Sequence, residues 1–217
     1  MPRIVLAMAL GVALCGCATH RVAQSRASVS LSEPVTTWRD KVEADDLAWI
    51  ETLSTRRTAA RALAERRGRP IIAEEKALLG DPALDHSALP PGSYRCRMVR
   101  VGAAAGPRGI RVMPPFFCYI RGESENLLTF AKQTGTDLPG GWLYPDEDKR
   151  YVFLGARQRR PGDTSLAYGA VQARNVVGVA ERIGAFRWRL EIRGPARDSL
   201  DVYELTPVPV ENQPPQP

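Results

Sequence analysis

Hydrophobic and polar positions change their period along the chain, from a helical spacing in the first half to strict alternation in the second. Leu47, Ile50 and Leu53 recur at a spacing of three in a segment, Thr37 to Arg67, that is rich in Ala, Leu, Arg and Glu. This spacing places apolar side chains on one face of a helix. The segment therefore predicts one long helix or two shorter ones.

The ends of this helical segment carry recognisable signals. Thr37 and Asp40 fit a capping box, and Gly68 supplies a stop after the last basic residues. A second short helix is predicted at Ile72–Leu79, because Gly80 and an Asp-Pro pair follow it.

After the turn "LPPGSY" the period becomes two. In "FRWRLEIR", Phe186 to Arg193, apolar and charged residues alternate, which predicts a half-buried antiparallel strand. Turn-like residues separate most of the other strand candidates. These candidates are Ser93–Val101, Ile110–Met113, Phe116–Arg121, Leu127–Gln133, Gly141–Tyr144, Arg150–Ala156, Val176–Ile183 and Leu200–Leu205.

About eight short strands without intervening helices indicate an antiparallel barrel or sandwich rather than parallel βαβ units. The expected fold class is α+β, with an N-terminal helical segment followed by an antiparallel, mainly β domain. The expected segments are a signal peptide (1–16), a tether (17–36), a helical segment (37–88), the β domain (89–207) and a disordered Pro-rich tail (208–217).

The first residues predict export and lipid attachment. Arg3 precedes an apolar run, Ile4–Leu14, that is shorter than the roughly 20 residues needed to span a bilayer. The residues before Cys17 resemble the lipobox of bacterial lipoproteins, in which the cysteine is acylated and becomes the first mature residue. Cys15 does not fit that position because Leu14 precedes it. Cys17 is therefore the predicted lipid anchor in a bacterial outer membrane, facing the periplasm.

Charge and cysteine content add to the picture. The formal charge of +6 falls to +5 without Arg3, and in the envelope we expect lipid head groups or envelope polymers, not nucleic acid, as neighbours. Two cysteines, Cys96 and Cys118, remain in a compartment where disulfides form, and we predict that they pair. The alternative is two separate buried thiols.

Few residues indicate chemistry. His86 lies beside Ser87 in a loop, where adjacent side chains point apart, so it is interpreted as a surface histidine. Asp146, Glu147 and Asp148 follow Pro145 between two strand-like runs, which predicts a hairpin turn, with calcium binding as the weaker alternative. No cofactor or metal is expected.

Two enzymatic or ligand-binding alternatives stay open. Carboxylates such as Glu123, paired with Glu125, and Asp201 would serve an envelope-polymer hydrolase if a groove held two of them together. Aromatic residues would line a ligand cavity if the domain were a lipocalin-like barrel, or would fill the core. These aromatic residues are Tyr94, Trp142, Tyr151 and Trp188.

Several stretches taken together resemble one family. They are "LPPGSYRCR", "FFCYI", "FAKQTG", "LYPDEDKRYVFLG", "VVGVAERIG", "RWRL" and "SLDVYELTP", with "WRD" and "ALLGDP" upstream. Their order and spacing are similar to the bacterial exported family catalogued as domain of unknown function 4893, over about residues 37–207. The resemblance implies domain boundaries and export, and it assigns no activity. We expect a non-enzymatic, lipid-anchored module that binds a protein or an envelope component.

Overall fold

The computed structural model describes residues 37–124, 127–159 and 167–212. The Cys17 anchor, the tether and the last residues of the tail lie outside them. The helices and strands belong to one compact unit. In the described ranges a 3₁₀ turn and four helices precede nine strands, and this order of helices before strands is the one that the change of period predicts.

The helical segment is more broken than the sequence indicates. Its helices are α1 (Ala44–Glu51), α2 (Leu53–Arg67), α3 (Arg69–Glu74) and α4 (Lys76–Gly80), after a 3₁₀ turn at Trp38–Asp40. The predicted capping box is present, because the Asp40 carboxylate accepts hydrogen bonds from the Thr37 amide at 2.7 Å and the Thr37 hydroxyl at 3.0 Å. The short predicted helix is instead two short helices, α3 and α4, joined at Glu75.

All the predicted strands form. They are β1 (Gly92–Gly102), β2 (Ile110–Val112), β3 (Phe116–Gly122), β4 (Leu128–Lys132), β5 (Leu138–Asp146), β6 (Arg150–Gln158), β7 (Asn175–Gly184), β8 (Arg187–Arg193) and β9 (Ser199–Pro207). Each strand is antiparallel to its neighbours. Eight of them close into a barrel through the pairing of β1 with β9, and β2 adds to the side of β1. The fold is therefore a barrel and not a sandwich.

The barrel has two hydrophobic cores, one on each side of the sheet. Inward-facing residues of the strands form the inner core, which includes Tyr94, Phe130, Phe153, Trp188 and Tyr203. Outward-facing valines and leucines of β1, β6, β7 and β9 pack against the helices and form the outer core. The helices thus cover one side of the barrel, and the strands beneath them are buried on both faces.

Strand β8 shows the consequence most clearly and corrects the expectation of a half-buried strand. Its polar face is buried, since Arg189 is 0% and Glu191 is 1% exposed. Arg57 of α2 bonds both Glu191 and Glu181 of β7, and Arg189 bonds Glu181 and the Leu78 carbonyl. Charged side chains on this face therefore attach the helices to the barrel.

The strand predicted at Phe186 to Arg193 also begins one residue later than expected. Phe186 is 74% exposed in the turn between β7 and β8, because β8 begins at Arg187. Inward alternation starts only with Trp188, whose ring meets Tyr94 edge-on at 6.1 Å between ring centroids.

Candidate functional site

The barrel interior is filled by side chains. Phe130 meets Phe153 and Tyr203 edge-on, with ring centroids 5.8 and 6.1 Å apart, and Tyr203 also meets Phe116 at 5.8 Å. Two of the aromatic candidates from the sequence, Tyr94 and Trp188, lie in this inner core. A ligand would therefore have to bind outside the packed interior or displace it.

A group of charged side chains occupies one end of the interior, and we call it the barrel-end cluster: Arg100, Lys132, Asp137, Arg157 and Asp201. Arg100 bonds Asp201 through two nitrogens, at 2.6 and 2.8 Å. Arg157 bonds Asp137 at 2.6 Å, and Arg100 approaches Asp137 at 3.6 Å. All five residues belong to the inward-facing positions of their strands or lie next to one, so strand alternation brings them together.

Hydrogen bonding and burial shift the pKa values of several groups in and beside this cluster. The hydrogen bonds from Arg100 to Asp201 raise the pKa of the Arg100 guanidinium. Burial lowers the pKa of Lys132, whose ammonium bonds the Thr136 carbonyl at 2.5 Å and lies 4.3 Å from the centre of the Phe116 ring. Burial and Asp201 also raise the pKa of Tyr203, so its hydroxyl keeps its proton. The two carboxylates of the cluster pair with arginines, whereas the Lys132 ammonium bonds backbone carbonyls.

The structure does not bring together the carboxylates that the hydrolase alternative names. Asp201 pairs with Arg100 near one end of β1, whereas Glu123 follows β3 at the other end, beyond the pairing of Gly92 with Ile120. Eight residues of β1 separate these two levels, on the order of 26 Å. Two-carboxylate glycosidases hold the pair about 5 to 9.5 Å apart. Glu125 lies outside the described residues.

The acidic cluster after β5 forms a hairpin turn between β5 and β6, as predicted. Asp146 is 6% exposed and accepts hydrogen bonds from the Trp38 indole, Arg39 and Arg150 at 2.8 to 3.0 Å. Glu147 adopts a positive φ of 57° in the turn, and Asp148 is exposed. Since its oxygens already bond donors, Asp146 is not available to a cation. In the described ranges no three His, Cys, Asp or Glu residues form a metal-binding group.

The loop before β1 contains His86 and Ser87. His86 is exposed with a positive φ of 60°, and the carbonyl of Ser87 accepts the Trp188 indole N–H at 3.0 Å.

The predicted disulfide is present. It joins Cys96 of β1 to Cys118 of β3, with Cα atoms 6.1 Å apart, inside the inner core.

An open groove on the outside of the barrel was not anticipated from the sequence, and we call it the proline groove. It has a volume of about 930 Å³ and lies where β3 begins and β9 ends. Its walls include Pro115, Phe117, Pro207, Val208 and Pro209. Phe117 is 50% exposed in this groove, beside the rings of the wall prolines.

One cation lies in the proline groove. Arg95 of β1 points outward between its cross-strand neighbours Phe117 of β3 and Thr206 of β9. Arg95 is exposed and forms no ion pair with any residue that the structure describes. The only sequence signal for this site was the pair of adjacent prolines before Phe116, because the period of two assigns Phe117 merely to the outer face.

The groove is held open by fixed backbone. The Phe117 amide donates to the Thr134 hydroxyl at 3.2 Å, and the Val208 amide donates to the Ser93 carbonyl at 2.9 Å. Proline residues at both walls restrict the backbone further and offer no N–H donors. The groove is therefore preformed, apolar on its walls and cationic at Arg95.

None of the helices in the described ranges has both the length and the apolar character required of a membrane span.

Comparison with known proteins identifies the family. No curated protein matches the chain. A family model described as a domain of unknown function (DUF4893) matches residues 38–205, from the 3₁₀ turn at Trp38 to Leu205 in the last strand of the barrel. This match covers more than half of the chain, and the protein belongs to the DUF4893 family.

Proposed function

We propose that the protein is a lipid-anchored envelope protein that acts as a non-enzymatic binding module, with the proline groove as its binding face. The observation that carries the proposal is Phe117, which is half exposed in a preformed apolar groove, whereas the carboxylates of the barrel end are already paired with arginines. A rigid groove binds with little loss of conformational entropy.

The occupant of the groove is an extended segment of a partner protein. Its apolar side chain packs on Phe117 and the proline walls, and its carboxylate pairs with Arg95, the cation in the groove. Aromatic and arginine side chains in a partly desolvated pocket commonly contribute most of the binding energy of an interface.

A photo-crosslinking experiment tests this assignment. The full chain is produced in the organism that encodes it, with a photoreactive phenylalanine analogue at position 117 or, as a matched control, at position 186. Phe186 is even more exposed, at 74%, but lies in the turn between β7 and β8. We expect a covalent adduct with one partner protein from position 117 and none from position 186.

Two further readouts decide the outcome. Arg95→Gln should lower the yield of the adduct several-fold, and the crosslinked peptide should carry an acidic residue close to the attachment point. Adducts of equal yield at both positions, or an adduct only with a second copy or with the chain's own C-terminal residues, would contradict the proposal.

A further inference from the structure

A second surface, distinct from the proline groove, carries five arginines. They are Arg66 and Arg67 at the end of α2, Arg69 at the start of α3, Arg108 in the turn between β1 and β2, and Arg111 in β2; we call them the arginine patch. All five are exposed. The first three arginines and the last two are separated by about 40 residues in sequence. Only the tertiary structure brings these two groups to one surface.

Tight packing at Gly68 brings the two groups of arginines together. A Cβ at this glycine would lie 2.5 Å from the Ile110 side chain and 2.9 Å from the Arg108 carbonyl oxygen. The backbone between Arg67 and Arg69 therefore contacts the backbone at Arg108 directly. Ile110 is 3% exposed and fixes this contact in the outer core.

The patch arginines are exposed and form no ion pairs in the described part of the chain. Several arginines elsewhere, such as Arg57, Arg97 and Arg100, pair with carboxylates of the sheet or the helices. Glu74 lines a depression together with Arg108 and Arg111 but forms no ion pair with either of them.

Helix stability explains only part of this arrangement. Basic residues in the last turn of a helix interact favourably with its dipole, which accounts for Arg66 and Arg67. Arg69, Arg108 and Arg111 lie outside that turn. Val112, beside Arg111, is 42% exposed, so an apolar side chain accompanies the charge.

We propose that the arginine patch binds an anionic phospholipid surface. Several unpaired cations with an exposed apolar residue match the diffuse negative charge of lipid head groups. The choice of a membrane over a soluble acidic protein rests on the proposed function, in which the anchor at Cys17 keeps the domain near a bilayer. The 19 residues between Cys17 and Thr37 span at most about 65 Å.

The experiment uses the full chain with Cys17→Ser, so that no attached lipid contributes to binding. Its sedimentation is measured with vesicles of phosphatidylcholine alone and with vesicles that also contain phosphatidylglycerol. We expect stronger partitioning onto the anionic vesicles, lost when salt rises from about 0.1 M to about 1 M because the Debye length falls from about 10 to 3 Å. The difference between the two vesicle types isolates the electrostatic contribution from any apolar one.

Charge-matched variants locate the binding surface. Each arginine near an anionic surface contributes about fivefold to partitioning. Arg108→Gln with Arg111→Gln should therefore lower partitioning onto anionic vesicles more than about tenfold. The control, Arg121→Gln with Lys149→Gln, removes the same charge from exposed positions at the other end of the barrel and should change it less than about twofold. Circular dichroism verifies that each variant is folded.

The outcomes separate this proposal from the proposed function. Equal partitioning onto both vesicle types, or equal losses in the two double variants, would overturn the lipid assignment. Binding of the Cys17→Ser chain, with all five arginines intact, to soluble polyglutamate but not to anionic vesicles would also overturn the lipid assignment. That result would indicate an acidic protein partner. Failure of lipidation at Cys17 leaves this measurement unaffected, because Cys17 is already replaced.

Discussion

At the scale of single residues, several charged side chains are buried and paired with opposite charges. Asp201 and Arg189 are both 0% exposed, one facing the barrel interior and the other facing the helices. Such residues depend on their partners, because an unpaired buried charge is far more costly than the pair. Their roles follow from the contacts and not from residue type.

The Arg100–Asp201 pair provides a direct test of this dependence. We expect Arg100→Met to destabilise the protein by about 3–5 kcal/mol, since it leaves the buried Asp201 carboxylate without its bidentate partner. The double variant Arg100→Met with Asp201→Leu should recover most of that loss. Urea denaturation of the single and double variants measures the coupling. Additive losses in the double variant would show that the two residues do not act as a pair.

Asp146 predicts how stability depends on pH. Burial opposes ionisation, but hydrogen bonds from Trp38, Arg150 and Arg39 outweigh it and hold the pKa of Asp146 below its ordinary value of 3.8. A depressed folded-state pKa stabilises the protein above the unfolded-state pKa, and the stabilisation is lost as pH falls through the folded value. The free energy of unfolding should therefore decline below about pH 4.

Asp146→Asn should remove part of this acid sensitivity and cost about 1–3 kcal/mol at neutral pH, because Arg39 and Arg150 lose their charged acceptor. The matched control is Asp148→Asn, an exposed residue of the same turn, and it should have little effect. Denaturant titrations at several pH values compare the two variants. An unchanged pH profile in Asp146→Asn would show that the depressed pKa does not contribute to stability.

At the scale of secondary-structure elements, alternation located every strand but did not reveal what covers each face. β8 alternates as a half-buried strand does, and its charged face is nevertheless buried under the helices. The sequence of one strand contains no information about a helix more than a hundred residues earlier. Ion pairs such as Arg57–Glu191 become visible only when the two elements are in contact.

Strand packing gives a prediction at this scale. A Cβ on Gly141 of β5 would lie 2.3 Å from the Gly155 Cα atom of β6, whereas a Cβ on Gly122 of β3 would make only an ordinary contact, 3.4 Å from the Pro91 ring. We therefore expect Gly141→Ala to destabilise by about 1–3 kcal/mol through overpacking, and Gly122→Ala to have little effect. Thermal denaturation compares them. Equal melting temperatures would show that β5 and β6 can separate without cost.

At the scale of the whole molecule, closing the sheet into a barrel determines which residues meet. Pairing of β1 with β9 brings Arg100 next to Asp201, about a hundred residues apart, and creates both the barrel-end cluster and one wall of the proline groove. The filled interior and the preformed groove then favour binding on the outer surface.

The proposed anchor is tested on the intact protein. Cys17→Ser should abolish labelling by a radioactive fatty acid, because the thiol that is acylated is removed. Cys15→Ser is the matched control and should leave the labelling unchanged, because Leu14 precedes that cysteine. Labelling that persists in Cys17→Ser would contradict the assignment of the anchor.

The order of a helical segment before the strands, the position of every strand and the Cys96–Cys118 pairing could be predicted from the sequence, because periodicity, turn residues and cysteine number are local or countable properties. The family followed from the resemblance of the ordered motifs. Sequence reasoning left barrel and sandwich open, since both arise from the same alternation. Only the tertiary structure decided the closure, the burial of β8, the separation of Glu123 from Asp201, the proline groove and the arginine patch. Each of these depends on contacts between segments far apart in the chain, which no local pattern specifies.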